Sequence, residues 1–388
     1  MYKPLVYLMC LLLAGATAVR AQETATIRIE SGVFAGGNVF PVFTGDGATE
    51  AAKILRADLE FDGRIPLAAD QAAAMLMAQG TLAGTAINGR LMGANGQVIL
   101  EEQFRGGSLR QSVHAFADAI VEKLTGSPGY TASKIAFIST ATGHKEVYVC
   151  DYDGANPVQL TSDRSIAVSP KISADRSTVL YSSYKNGYCD VYAVDVASHQ
   201  SRALVNWPGT NSSAALSPSG RVMVLTANRD GNPELYQTGA GGGHGRRLTA
   251  TPGVESSPTW GKEEGEIIFS SDTRGTPQLF RMRLGGHGVQ MLPTGFNYNT
   301  EPNWAPDGSK VAFNVRAGGG LEIAVLNLAG GGAKTVTGSG CEDPAWGPNS
   351  RHLVYRQGSS LVTLNTATGQ HTVILSGLGE VSEPSWSR

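Results

Sequence analysis

The residues of this chain that come nearest to a reactive set are three carboxylates at regular distances. Glu301, Asp343 and Glu383 each stand three residues before a tryptophan, namely Trp304, Trp346 and Trp386. The equivalent places earlier in the chain hold Ser169, Ser213 and Ser257, ahead of Ile172, Leu216 and Trp260. If these six anchors mark six like strands about one axis, all six residues begin inner strands around one channel mouth, and the acids share one arc of it. Adjacent carboxylates can attract a cation or a basic patch of a partner, or serve as acid and base in sugar cleavage. The plainer outcome is a set of solvated rim side chains, and no metal site is assigned.

Other chemistry-bearing residues are dispersed. The chain contains no G-x-S-x-G elbow, Walker loop, H-E-x-x-H or C-x-x-C, which weighs against an enzyme and leaves no catalytic residue to name. Its seven histidines occupy unrelated places. His244 and His287 lie in Gly-rich contexts and are expected on exposed turns, not as ligands. Beyond Cys10 there are three cysteines, Cys150, Cys189 and Cys341. Alignment of the repeats offsets Cys150 from Cys189 by about five strand positions, roughly 17 Å at ~3.3 Å per residue, whereas a disulfide needs Cα atoms within ~7 Å. Three free thiols are therefore expected.

The elements that must position the acids follow from a repeat. The anchors are spaced by 44, 44, 44, 42 and 40 residues, in the range of four-strand propeller blades. Seven residues after an anchor begins an apolar triplet, as in Val179-Leu180-Tyr181, Ile267-Ile268-Phe269 and Leu353-Val354-Tyr355. Between the two lies a turn such as Pro306-Asp307-Gly308-Ser309, whose Gly tolerates positive φ. Third strands are marked by Val191, Leu235, Leu279 and Ile323, and fourth strands by Leu204, Leu248, Leu292 and Val336. Trp386 has only two residues after it, so its strand needs partners from elsewhere. Those are the segments at Lys134 to Phe137, Glu146 to Val149 and Val158 to Thr161. The reading is an all-β six-bladed propeller over residues 134–388, closed by pairing of the C-terminal strand with the first blade. The tryptophans fill gaps between blades and have a structural role.

Residues 22–130 do not follow the repeat and read as a small α/β domain. Strands are expected over Ala25 to Glu30, Asn38 to Phe43, Thr81 to Asn88 and Gln97 to Phe104. Helices are expected over Ala48 to Leu59, more weakly over Ala68 to Ala78, and from the N-cap Ser108 through Leu124 to Gly126. Ser127-Pro128-Gly129 makes the boundary. Residues 1–21 read as a signal peptide: Lys3 precedes the apolar Leu5 to Ala18, and Val19-Arg20-Ala21 or Ala16-Thr17-Ala18 supplies the cleavage site. Export through a cleaved signal is thus expected. With 31 Lys and Arg against 33 Asp and Glu, charge suggests neither nucleic acid nor anionic membrane as partner.

Several segments carry a family resemblance. Ile27-Arg28-Ile29-Glu30-Ser31-Gly32, the Glu122-Lys123-Leu124-Thr125-Gly126 that ends the long helix, Asp151-Tyr152-Asp153-Gly154, and Thr300-Glu301-Pro302-Asn303-Trp304 followed by Pro306-Asp307-Gly308 all resemble the TolB family of the periplasmic Tol-Pal system. The resemblance covers nearly the whole mature chain and departs around Ala68 to Gly80, where the N-terminal domain is shorter. It implies a periplasmic scaffold, monomeric and without cofactor, that supports outer-membrane integrity and cell division and meets membranes only through its partners. One partner would be the peptidoglycan-associated lipoprotein Pal, bound at the propeller mouth by Thr210, Asn211, Ser213, Glu255, Asn299, Thr300, Glu301, Asp343 and Glu383. The other would be TolA, captured by the segment Gln22 to Phe34, including Ile27, Arg28, Ile29, Glu30, Ser31 and Gly32. The competing expectation is a secreted polysaccharide lyase or glycosidase that uses the channel acids.

Overall fold

A computed structural model describes residues 37–285 and 288–387. The signal-peptide segment, the expected strand at Ala25 to Glu30, the segment Gln22 to Phe34 with Ile27 to Gly32, and His287 lie outside the described residues. Seven four-stranded sheets account for the strands described, and two helices flank the first of them.

The first sheet has the order β1(Val39–Thr44), β2(Leu76–Ala83), β3(Ala86–Gly93), β4(Val98–Arg105), with β1 parallel to β2 and the rest antiparallel. Helix α1(Ala48–Asp62) crosses from β1 to β2, and α2(Leu109–Thr125) lies beside α1 on the same face. Ser108 caps α2 by accepting from the Gln111 N–H, and Gly126, at φ 68°, donates to Glu122 O, the αL stop that glycine permits at a helix end. Leu55, Leu59, Val113, Phe116 and Ile120 are completely buried against the sheet. Gly80 and Gly89 face each other across the β2–β3 ladder; a Cβ on Gly80 would meet Phe43 at 2.2 Å, and one on Gly89 would meet Phe116 at 2.8 Å. Glycine there makes room for the helix-side aromatics.

Two expectations are corrected in this domain. Ala68 to Ala78 is not a helix: Asp70 accepts from Ala73 N at 2.9 Å, Asn38 holds Met75 N at 2.8 Å, and the chain then runs as β2. The Ala- and Met-rich composition favours helix, but pairing with β1 buries Leu76 and Ala78 in alternation, and that tertiary gain overrides propensity. Thr81 to Asn88 is likewise not one strand, because Gly84 at φ 64° turns the chain between Ala83 and Ala86.

The other six sheets are the blades. The anchor strands are innermost: Ala167–Ile172, Asn211–Leu216, Glu255–Trp260, Asn299–Trp304, Cys341–Trp346 and Val381–Trp386. The last joins Lys134–Ser139, Glu146–Asp151 and Val158–Gln159 in one sheet, with Val381 opposite Ser139 and Trp386 opposite Ile135. Ser387 Oγ accepts from Lys134 N at 3.0 Å, and Trp386 Nε1 donates to Ser133 Oγ at 2.7 Å. We call this closing sheet blade one and number the others in chain order. Trp260, Trp304, Trp346 and Trp386 are buried against the blade before their own, Trp346 for example among Ala305, Ala312 and Ile323. Cys150, Cys189 and Cys341 are buried and unbridged. His244 is exposed, but on the outermost strand Gly242–Arg247 of blade three and not on a turn.

Helices α1 and α2 also rest on blades one and six. Asp58 of α1 accepts from Tyr152 OH at 2.6 Å and sits 2.8 Å from His114 Nδ1. Phe61 stacks on His352 with ring centroids 4.8 Å apart. These contacts gather where the innermost strands end, on blades one and six, so the N-terminal domain rests on the side opposite the mouth where those strands begin.

Candidate functional site: the channel and its open mouth

Each innermost strand breaks its ladder at the same place. The third residue, Ser169, Ser213, Ser257, Glu301, Asp343 or Glu383, has φ between 51 and 60°, and pairing resumes two residues later. The next residue is Pro in five blades and Ala214 in the other. A bulge suits proline, which has no ladder N–H to lose. The expected placement is adjusted by this geometry. The six residues stand not at the strand starts but inside the strands, and they line the channel itself together with Lys171 and Asn303.

Side chains from one blade satisfy the bulge amides of the next. Asn314 donates to Glu301 Oε2 at 3.2 Å and accepts from Asp343 N at 3.1 Å. Asp343 Oδ2 accepts from Glu383 N at 3.0 Å, and Glu383 Oε2 accepts from Ser169 N. The three acids are thus a linked arc. Glu301 is exposed to the channel, but the surrounding walls, reinforced by Asp343 and then Glu383, raise its carboxyl above the ordinary range. Burial also raises Glu383. Among the described residues, no group of three or more His, Cys, Asp or Glu side chains is placed to hold a metal ion.

At the mouth, Thr210 is exposed and Ser213 and Thr300 are half-buried. Asn211, Glu255 and Asn299 are completely buried; they join neighbouring blades and support the rim without forming its surface. Sequence reasoning missed three features. Asn314 is a buried amide inside the apolar strand Lys310–Ala317, and that polar interruption was its signal. Lys171, two residues after Ser169, brings positive charge to the acid arc. Ile166 and Tyr188 of blade two and Val254 of blade four are 51%, 73% and 41% exposed at the end where the innermost strands begin.

Comparison with known proteins agrees with this architecture. Residues 121–388 match the TolB beta propeller domain family. The chain is 40% identical over 97 residues to the Tol-Pal system protein TolB of Desulfosudis oleivorans, covering 24% of this chain and 22% of that relative. It is 43% identical over 96 residues to the protein TolB homolog of Chlorobium chlorochromatii, covering 24% and 22%. These matches thus span about a fifth of each curated relative's length. The crystal structure of TolB from Acinetobacter baumannii superposes with a TM-score of 0.79 at 25% identity, covering 90% of this chain and 96% of that one.

Proposed function

The chain belongs to the TolB β-propeller domain family, and from that premise we propose that it is a periplasmic scaffold of the Tol-Pal system that binds other proteins and catalyses no reaction. Its open mouth docks the lipoprotein Pal, and its mature N-terminal segment is taken up by TolA. Outer-membrane integrity and cell division are the processes served.

The observation that carries this reading is the make-up of the free mouth. Exposed Ile166, Tyr188 and Val254, on blades two and four, stand at the end of a channel whose wall holds Glu301, Asp343 and Glu383, while the N-terminal domain rests on blades one and six at the other end. An apolar rim about an acidic opening suits a partner segment with apolar contacts and a basic or amide-bearing tip. Thr210, Ser213, Thr300 and Glu301 are the residues we assign to the contact. Asn211, Glu255 and Asn299 hold them in place. The glycosidase alternative has less support, because Asp343 and Glu383 accept from the bulge amides of the next blade and Glu301 accepts from Asn314, so the acids are engaged in holding the blades together.

The test is capture of purified Pal and TolA by the mature chain, compared with Thr300→Arg and Tyr188→Ala variants and a deletion of residues 22–34. The mouth variants should lower Pal affinity at least tenfold and spare TolA, and the deletion should do the reverse. Unchanged Pal binding in both mouth variants would remove the assignment of the mouth.

A further inference from the structure

One inter-blade seam at the open mouth differs from its neighbours. Where the third strand of a blade begins beside the innermost strand of the next, the first residues of the two strands meet. Between blades two and three, Asn211 Nδ2 donates to Asp190 Oδ1 at 3.2 Å. Between blades four and five, Asn299 Nδ2 donates to Gln278 Oε1 at 2.7 Å. In both seams an amide supplies the donor whatever the pH. Between blades three and four, the equivalent residues are Glu234 and Glu255.

Both glutamates are completely buried. Glu234 Oε1 accepts from Arg247 Nη2 at 2.7 Å and from Thr251 N at 2.8 Å. Glu255 Oε1 accepts from Thr251 Oγ1 at 2.6 Å and from Ser271 Oγ at 2.7 Å. The second oxygen of each, Oε2, is buried with no hydrogen-bond partner, and Thr251, bonded to both carboxyl groups, brings them together. Two carboxylates offer acceptors only; a proton on one of them supplies the donor that the amides supply elsewhere.

We propose that Glu234 and Glu255 form a proton-operated latch between blades three and four at the open mouth, closed by one shared proton and released when that proton leaves. Charge counting supports this. With one proton the pair carries a single negative charge beside Arg247; without it, two buried negative charges face that one guanidinium. The other charged or titratable groups nearby are Arg229 and Asp230 in the preceding turn, Tyr236 on the strand of Glu234, and Asp272 in the turn packed over Val254. None replaces the lost donor: Asp230 is engaged by Tyr236 OH at 2.7 Å, and Asp272 accepts from Val254 N at 2.7 Å.

The strained part on release is the blade connection at residues 249–254. Thr251 bonds both acids, and its hydroxyl also accepts from Gly253 N at 3.0 Å. Hydrating the two Oε2 atoms requires this connection to swing outward, carrying exposed Val254 with it. The latch therefore deepens the docking role by making the mouth's shape depend on pH. It can be tested without any partner, so its failure and that of the docking reading are separable.

Burial first, and Glu234 after it, raises Glu255 from the ordinary 4.5 to about 7, while for Glu234 the effect of burial is outweighed by Thr249, Glu255, Arg247 and Thr251, and its carboxyl is lowered. A carboxyl whose folded pKa is raised stabilises the fold fully below the unfolded value, and that contribution is lost as pH rises through the folded value. The window is thus about pH 4.5 to 7. The measurement is urea unfolding of the mature wild-type chain and Glu255→Gln at steps from pH 5 to 8. Gln supplies a permanent donor, so the variant should gain on the wild type by about tenfold or more in the unfolding constant across the window, then run parallel above it. Curves parallel throughout would overturn the latch. If Glu255→Gln does not fold, amide exchange in the wild type decides: protection at Thr251 and Val254 should fall selectively over that window, and protection unchanged relative to the other seams would overturn the proposal.

Discussion

A single tryptophan shows how much each seam depends on one side chain. Trp260 is 2% exposed, packs among Val224, Leu235 and Phe269, and donates Nε1 to Ala215 O at 2.8 Å across the seam. Trp346 is buried to the same degree, but its Nε1 is without a hydrogen-bond partner. Truncating either to Ala removes a large apolar surface and leaves a cavity, costing roughly 3 to 5 kcal/mol. Trp260→Ala should be the worse, since it also strands a buried carbonyl. Denaturant unfolding of both variants measures this, and an effect under about 1 kcal/mol would deny the anchors their structural role. These anchors were readable because size and spacing recur in sequence. The left-handed bulge three residues before each was not: Glu301 and Glu383 belong to a residue type that seldom takes positive φ, and only the Pro after each hinted at a break. The buried states of Asn211 and Asn299 were hidden too, because an Asn at a strand start looks the same in sequence whether it faces solvent or a neighbouring blade.

At the scale of elements, closure rests on the strand Val381–Trp386. It supplies the innermost strand of blade one, and with Ser387 it ties Lys134 and Ser133 across some 250 residues of sequence. Deleting residues 381–388 would leave Lys134–Ser139 as a bare edge and expose Ile135, Phe137 and Val354, the condition under which sheets aggregate. Thermal unfolding of the truncated chain should begin far below that of the full chain and lose its single sharp transition. An unchanged melting curve would place the closure elsewhere. This element was legible because the count of strands left one without a blade at the C-terminal end and three at the start of the repeats. Ala68 to Ala78 was not, since its strand depends on Val39–Thr44, whose partner no local pattern reveals, and Asp70 and Asn38 set the turn through contacts that only the folded chain makes.

Across the whole molecule, the N-terminal domain and the open mouth lie on opposite faces of the disc, so any influence of one on the other must pass through the blades. The contact between domains is itself titratable. His352 of blade six is buried against Phe61 of α1, and burial lowers its pKa from 6.5 to about 4. A base held neutral in the fold takes its proton more readily when unfolded, so its contribution is complete above about pH 6.5 and is lost as pH falls toward 4. That slope is opposite in sign to the slope of the Glu234–Glu255 pair, which is why the latch must be read as a difference between wild type and variant. Replacing His352 with Phe keeps a ring on Phe61 but removes the titration, along with the contact to Asn349 at 3.0 Å. The variant should be less stable at pH 7 and yet lose less on acidification, so that the two stability curves converge between about pH 6.5 and 4. Measured by urea unfolding at pH steps, with protease cleavage near residues 126–133 as a second readout of domain separation, curves that stay equally spaced would show that the histidine does not sense pH at this interface.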